Sequence, residues 1–165
     1  MDNTGNQAKL VEKIYREIGP ELLAFFQRHH DSPQTSEDLL QETFRAVMKN
    51  PDRLLQADSP RAYLFGMARN LSAEAYRRAH PTEELPAESP EGASETEDPR
   101  LELMREGITR LNAASRQVLE LRLQREMSYE EIAAALGVPV GTVRSRLHHA
   151  VRQLRDHLQK SSYDK

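Results

Sequence analysis

The residues best equipped for chemistry lie near the C-terminus. Thr142, Arg144, Ser145, Arg146, His148, His149, Arg152 and Arg155 fall within one short stretch, and from Arg144 to Arg155 there are four arginines and no acid. An arginine can hold a guanine edge with two hydrogen bonds, and Ser or His can bond several bases. A row of guanidinium groups attracts phosphate whatever the base sequence. The chemistry on offer is recognition of duplex DNA; the bland alternative is a helical hairpin with a solvated basic face. Covalent catalysis has less to draw on. With no Cys in the chain, a thiol nucleophile, a thiolate metal site and a disulfide scaffold are excluded. No Gly-rich phosphate loop, paired carboxylates or Ser/His/Asp arrangement stands out. The expectation is a protein that is not an enzyme, with no cofactor and no small-molecule substrate. His29-His30 and His148-His149 are adjacent pairs that point to different helix faces, so they make poor metal ligands.

Such a basic face needs a rigid helix, and the sequence around it spells one out. Ser128 and Glu131 have the spacing of a capping box. The helix they open would bury Ile132, Ala133 and Leu136. Gly137 permits a positive φ and a sharp turn. Val138 would plug the core, and Pro139 suits the start of a new helix. That helix would bury Val143, Leu147, Ala150/Val151, Leu154 and Leu158. The pattern is a helix-turn-helix, with small Ala133 permitting a close crossing. In such a motif the second helix enters the major groove, its first residues at base edges. The later arginines, and Ser128 and Tyr129 at the start of the preceding helix, are placed for phosphate.

Upstream, Met104, Ile108 and Leu111 form a short stripe, and a helix after Asn112 would turn Val118/Leu119 and Leu123 inward. The first half also has helical periods. Val11, Ile14/Tyr15, Ile18, Leu22 and Phe25/Phe26 form one stripe, kinked or broken at Gly19-Pro20. A second helix is predicted from Thr35, where Thr35 and Asp38 resemble a capping box, with Leu40, Phe44, Val47 and Met48 buried. A third begins at Ser59-Pro60, carries Leu64, Met67/Ala68, Leu71 and Ala75, and stops before His80-Pro81. No strand-like alternation is visible.

Composition sets the frame. The chain has 165 residues, a net charge of −3, 30% charged and 38% hydrophobic residues, and no Trp. The charge is uneven: residues 1–80 balance, residues 81–99 carry seven carboxylates, four prolines and no base, and residues 100–165 carry 12 bases against eight acids. The strip 81–99 has too little apolar surface to offset its ordering entropy and reads as a flexible acidic linker. Two domains are therefore expected, 1–80 and 100–165, in an all-α fold. There is no apolar run of transmembrane length and no signal peptide, so the expected location is the cytoplasm.

Three segments narrow the reading: SEDLLQETFRAVMKN (36–50), SPRAYLFGMARNLSAEAYRR (59–78) and SYEEIAAALGVPVGTVRSRLHHAVRQL (128–154). Together they resemble bacterial RNA polymerase sigma factors of the extracytoplasmic-function (ECF) type, over roughly residues 10–80 and 105–158. The resemblance implies two helical modules, core RNA polymerase (its β′ clamp helices and β subunit) and promoter DNA as partners, and control by an anti-sigma factor that is often held at the membrane. It implies that Asp38, Gln41 and Glu42 dock on the clamp helices; for Asp38 a favourable interaction with the helix dipole is the alternative. It implies that Arg61–Arg78 opens the promoter and holds the -10 strand, with Asn70 at a flipped base, Arg61, Arg69, Arg77 and Arg78 along the backbone, and Tyr63, Phe65 and Tyr76 as stacking candidates. Core packing is the other reading of Tyr63 and Phe65, and the helix dipole that of Arg77-Arg78. Finally it implies that Arg144, Ser145, His148 and His149 read the -35 element, supported by Thr142, Arg146 and Arg152. The segment Arg61-Ala62-Tyr63-Leu64 lacks a Trp that many relatives carry, and His148-His149 is unusual there; both bear on promoter choice. The rival function is a stand-alone helix-turn-helix regulator on duplex operator DNA, but that leaves residues 35–48 and Ala68–Leu71 without a purpose.

Overall fold

A computed structural model describes residues 3–82 and 98–163. It contains α1 (Asn3–His29), α2 (Pro33–Lys49), α3 (Pro51–Leu55), α4 (Pro60–Ala79), α5 (Pro99–Thr109), α6 (Ala113–Leu123), α7 (Tyr129–Leu136) and α8 (Val140–Tyr163). Among the described residues there is no strand, so the all-α expectation holds. The chain divides into two compact units: the first contains α1–α4, and the second contains α5, α6, α8 and most of α7. The expected linker coincides with the gap between α4 and α5, but its residues 83–97 lie outside the described residues. Asp98, the last of its acids, belongs to α5: its side chain accepts from the Arg100 N–H at 2.9 Å and caps the helix.

In the first unit α1 packs on α2 and α4, and α2 packs on α4. The core holds Leu22, Phe26, Val47, Leu54, Leu64 and Phe65, each nearly or fully buried. Aromatic edges join the helices, with Phe25 against Phe65 at 5.9 Å and Tyr15 against Phe44 at 4.7 Å between centroids. Three expectations need correction. Pro20 does not break the first stripe: α1 continues through it. The lost N–H is one hydrogen bond, set against the burial of Leu22, Phe25 and Phe26 on the far side. The second helix starts earlier than predicted, because Ser32 is the cap and Pro33 the first helical residue; Thr35 supplies the N–H to Ser32 Oγ, 3.3 Å away. Met48 is 53% exposed, since it sits past the edge of the stripe that α1 and α4 cover. The third helix starts and stops as predicted, with Ser59 Oγ accepting from the Ala62 N–H.

In the second unit α8 packs on α5 and α6. Val118, Met127, Ile132, Val143 and Ala150 are fully buried. A Cβ at Gly107 would lie 2.9 Å from Leu154 Cδ2 and 3.0 Å from the His157 ring, so α5 approaches α8 as closely as glycine allows. Arg116, buried, donates to the carbonyls of Leu111 and Thr109 at 2.7 and 3.2 Å, serving backbone acceptors at the end of α5. Three stripe positions differ from expectation: Met104 is 36%, Leu123 65% and Val151 46% exposed. The buried side of α6 runs through Val118, Leu119 and Leu121, and on α8 it is Ala150 that faces inward.

Candidate nucleic-acid interface

The helix-turn-helix closes as its residues require. The Ser128 N–H donates to Glu131 Oε2 at 2.9 Å, and the Glu131 N–H donates to Ser128 Oγ at 3.1 Å, a reciprocal capping box. Gly137 has φ +65°, and the Val138 N–H reaches the Ala133 carbonyl at 3.0 Å. That six-to-one bond is the Schellman closure, which needs the left-handed residue that glycine supplies. The Pro139 carbonyl then accepts from the N–H groups of Thr142 and Val143, starting α8.

This turn leaves one side of α8 open. Arg144, Ser145, His148, His149, Arg152 and Arg155 are exposed, while Thr142 and Arg146 are half-buried. Ser145 Oγ donates to the Thr142 carbonyl at 3.1 Å, tying the second turn of α8 to the first. Among the described residues no acid pairs with Arg144, Arg146, Arg152 or Arg155. Tyr129, half-buried at the start of α7, has the Arg144 guanidinium carbon 6.0 Å from its ring centroid. A second guanidinium, from Arg122 on α6, lies 5.3 Å from the same ring. Sequence reasoning missed Arg122; seven residues and a loop separate it from Tyr129, and no local pattern joins them.

The first unit presents a different surface. Tyr63, Asn70 and Arg77 are seven residues apart on α4 and so share a face. Asn70 and Arg77 are exposed there, Tyr63 is half-buried. Phe65, expected as a stacking candidate, is buried in the core against Phe25, and Tyr76 is half-buried beside His80. Arg69 is also half-buried. Arg61 turns toward α1, where its Nε and Nη2 donate to Glu21 Oε2 at 3.1 and 2.6 Å, with the Phe65 ring 6.0 Å away. Arg78 pairs with Glu74 one turn back. Arg77 and Arg78 do lie in the last turn of α4, where they also meet the negative end of the helix.

On α2, Asp38 and Gln41 are exposed and Glu42 half-buried, while Leu39, Leu40, Phe44 and Val47 are buried. Gln34 Nε2 donates to Asp38 Oδ1 at 3.2 Å. Because α2 begins at Pro33, its first turn holds no acid and Asp38 stands in the second turn. The helix dipole, which fades within the first turn, therefore gives no reason for Asp38. His30, half-buried just after α1, shares a 2.8 Å hydrogen bond between Nε2 and Ser72 Oγ of α4. Burial, helped by neighbouring His29 and opposed by Asp31, holds the His30 imidazolium below its ordinary range.

Two family models match these surfaces: Sigma-70 region 2 over residues 14–82 and Sigma-70 region 4 over residues 107–156. The ECF RNA polymerase sigma factor SigL of Mycobacterium tuberculosis is 32% identical over 163 residues, covering 93% of this chain and 92% of the relative. The chain belongs to the ECF sigma factors. The RNA polymerase sigma-E factor of Streptomyces avermitilis is also similar, 33% identical over 93% of this chain and 87% of its own. Among solved structures, CnrH in complex with the cytosolic domain of CnrY is 25% identical with a TM-score of 0.59, over 93% of this chain and 90% of that one. The sigma factor RpoE in complex with the anti-sigma factor NepR, from Bartonella quintana, has the same fold at a TM-score of 0.64 and 23% identity, over 90% and 96%. As an ECF sigma factor, the protein has core RNA polymerase and promoter DNA as partners. Among the described residues no helix of this sigma factor is long and apolar enough to cross a membrane.

Proposed function

We propose that this sigma factor, acting in the cytoplasm, divides promoter recognition between its two units and does no covalent chemistry. The observation that carries this reading is the row of cations that no acid of the described residues pairs, on a capped, glycine-closed helix-turn-helix, in a chain of sigma-factor family. The unit holding residues 100–165 takes the -35 element. Arg144, Ser145, His148 and His149 face base edges, and Thr142, Arg146, Arg152, Ser128 and Tyr129 serve the backbone. The unit holding residues 1–80 docks on core polymerase through Asp38, Gln41 and Glu42. The position of Asp38 beyond the first turn supports this, because the helix dipole does not account for that charge.

The same unit captures melted -10 bases on the Tyr63, Asn70 and Arg77 face, with Arg69 and Arg78 at the rim. Asn70 offers an amide to an exposed base edge, and the binding energy offsets unstacking. Arg61, already bonded to Glu21, holds α4 against α1 and reaches DNA only at the cost of that pair. The protein is held inactive by an anti-sigma factor until a signal releases it; the solved complex of the relative CnrH with the cytosolic domain of CnrY supports this.

Run-off transcription with purified core polymerase on fragmented genomic DNA tests the reading. Discrete transcripts that depend on the protein, sharing two elements upstream of their start sites, are expected. A protein that instead shifts a specific duplex alone and yields no transcript would be an operator-binding regulator. On a promoter so mapped, Asn70→Ala should slow strand opening, read by permanganate reactivity, more than it weakens binding to closed duplex. Equal losses in the two would remove Asn70 from the base-capture role.

A further inference from the structure

The contact around Tyr129 has a use beyond the phosphate role. Three helices meet at its ring: α7 supplies the ring, α6 supplies Arg122 and α8 supplies Arg144. The ring sits on a fixed base. The preceding residues are tied down by the Met127 N–H, which donates to the Leu121 carbonyl at 3.2 Å, and by the Ser128–Glu131 box. Met127 itself is fully buried. Arg122 is tied as well, since its Nη1 donates to the Met127 carbonyl at 2.9 Å. Arg144 has no such anchor: it is exposed, no acid of the described residues pairs with it, and the Tyr129 face is the contact the structure gives its guanidinium. A guanidinium near an aromatic face is attracted by the ring quadrupole, modestly where water has access. That is enough to favour one direction of a long, free side chain without consuming any of its hydrogen-bond donors. Two-point recognition of a guanine edge needs two of those donors, left uncommitted, and a defined approach.

We propose that Tyr129 is a positioning residue for base reading: its ring face sets the direction of Arg144, and Arg122, locked to the Met127 carbonyl, steadies that ring. This rests on the reading of α8 as the -35 helix. It differs from that reading in what it asks of Tyr129, which is the ring and not the hydroxyl.

The test is run-off transcription by the reconstituted holoenzyme, full-length protein with core polymerase, on promoters carrying each base at every -35 position. Arg144→Ala should flatten the base preference at one position. Tyr129→Leu should flatten the same position about threefold to tenfold and leave the others unchanged, and Tyr129→Phe should keep the full preference. Arg122→Gln, which leaves the capping box intact, should loosen that position less. In Arg144→Ala background, Tyr129→Leu should add nothing there.

Circular dichroism melts accompany each variant. Should Tyr129→Leu prove unfolded, Tyr129→Phe and Arg122→Gln decide the matter alone: an unchanged preference in Arg122→Gln then overturns the proposal. A loss in Tyr129→Leu that is uniform across all promoters, with the base preference at every position kept, overturns it, as does a Tyr129→Phe variant whose preference is flattened as much as that of Tyr129→Leu. An Arg144→Ala variant with the wild-type preference at every position would instead overturn the base-reading role of Arg144 from which this proposal starts.

Discussion

Arginines on α4 and on α8 meet different surroundings. In the first unit Arg61 is bound to Glu21 and Arg78 to Glu74. In the second, Arg144, Arg152 and Arg155 are exposed and Arg146 half-buried, with no acid of the described residues against any of them. A compensated guanidinium is a structural part: Arg61 ties α4 to α1, half-buried, and its charge is largely cancelled at a distance. An uncompensated one keeps its full charge for a polyanion. The difference suits the two tasks. A duplex is dense in phosphate, so cations serve the unit that meets it. Single-stranded bases offer faces and edges, and there a neutral amide such as Asn70 and a ring such as Tyr63 serve better.

That contrast can be broken in three ways. The largest expected effect is on stability. Ile132 is fully buried beneath the helix-turn-helix, and Ile132→Ala should cost its unit about 2–5 kcal/mol. Hydrogen exchange resolved along the chain should show protection lost in α5–α8 and kept in α1–α4. Equal loss in both would mean that the two units stand or fall together. A smaller effect concerns salt. Arg152→Gln should reduce the salt slope of holoenzyme binding to promoter duplex by about one, while Arg61→Gln should leave it near the wild-type value. Equal reductions would show that the Glu21 pairing does not silence Arg61.

The smallest effect is a pH dependence confined to the first unit. His30 is held below its ordinary pKa of 6.5 in the fold, so the unfolded chain binds the proton more readily. Its contribution is complete above about pH 6.5 and is lost as the pH falls toward the lower folded value. Between about pH 7.5 and 5.5 the α1–α4 unit should lose thermal stability, and His30→Gln should reduce that loss. A variant with the wild-type pH dependence would assign the effect to other groups.

How much was legible in advance follows how local each decision was. The Ser59-Pro60 start, the Ser128–Glu131 box and the Gly137 turn are settled within a few residues, and all three stand as read. The Ser32-Pro33 start is the same device as Ser59-Pro60, yet Thr35 and Asp38 offered a rival cap three residues on. Only the chain direction entering α2 chose between them. Stripe edges were less legible still. Met48, Leu123 and Val151 have the right spacing for burial but lie where no neighbouring helix covers them. Among the candidate site residues, the exposure of α8 followed from periodicity, whereas the engagement of Arg61 by Glu21, 40 residues away, did not.

Two helical modules, a helix-turn-helix, an acid-free basic face and the sigma-factor family were determined by the sequence alone. The helices, the turn and the basic face rest on spacing within one helix or one turn, where neighbours in the chain are neighbours in space, and the family rests on the resemblance of three segments taken together. The tertiary structure decided which charges are available. It carried α1 through Pro20, moved Asp38 out of the first turn of α2, paired Arg61 with Glu21, and set Arg122 and Arg144 about the Tyr129 ring. The Arg61 pair and the contacts of the Tyr129 ring depend on distances between separate helices. No periodicity encodes such distances, because they are fixed only when separate apolar faces pack together.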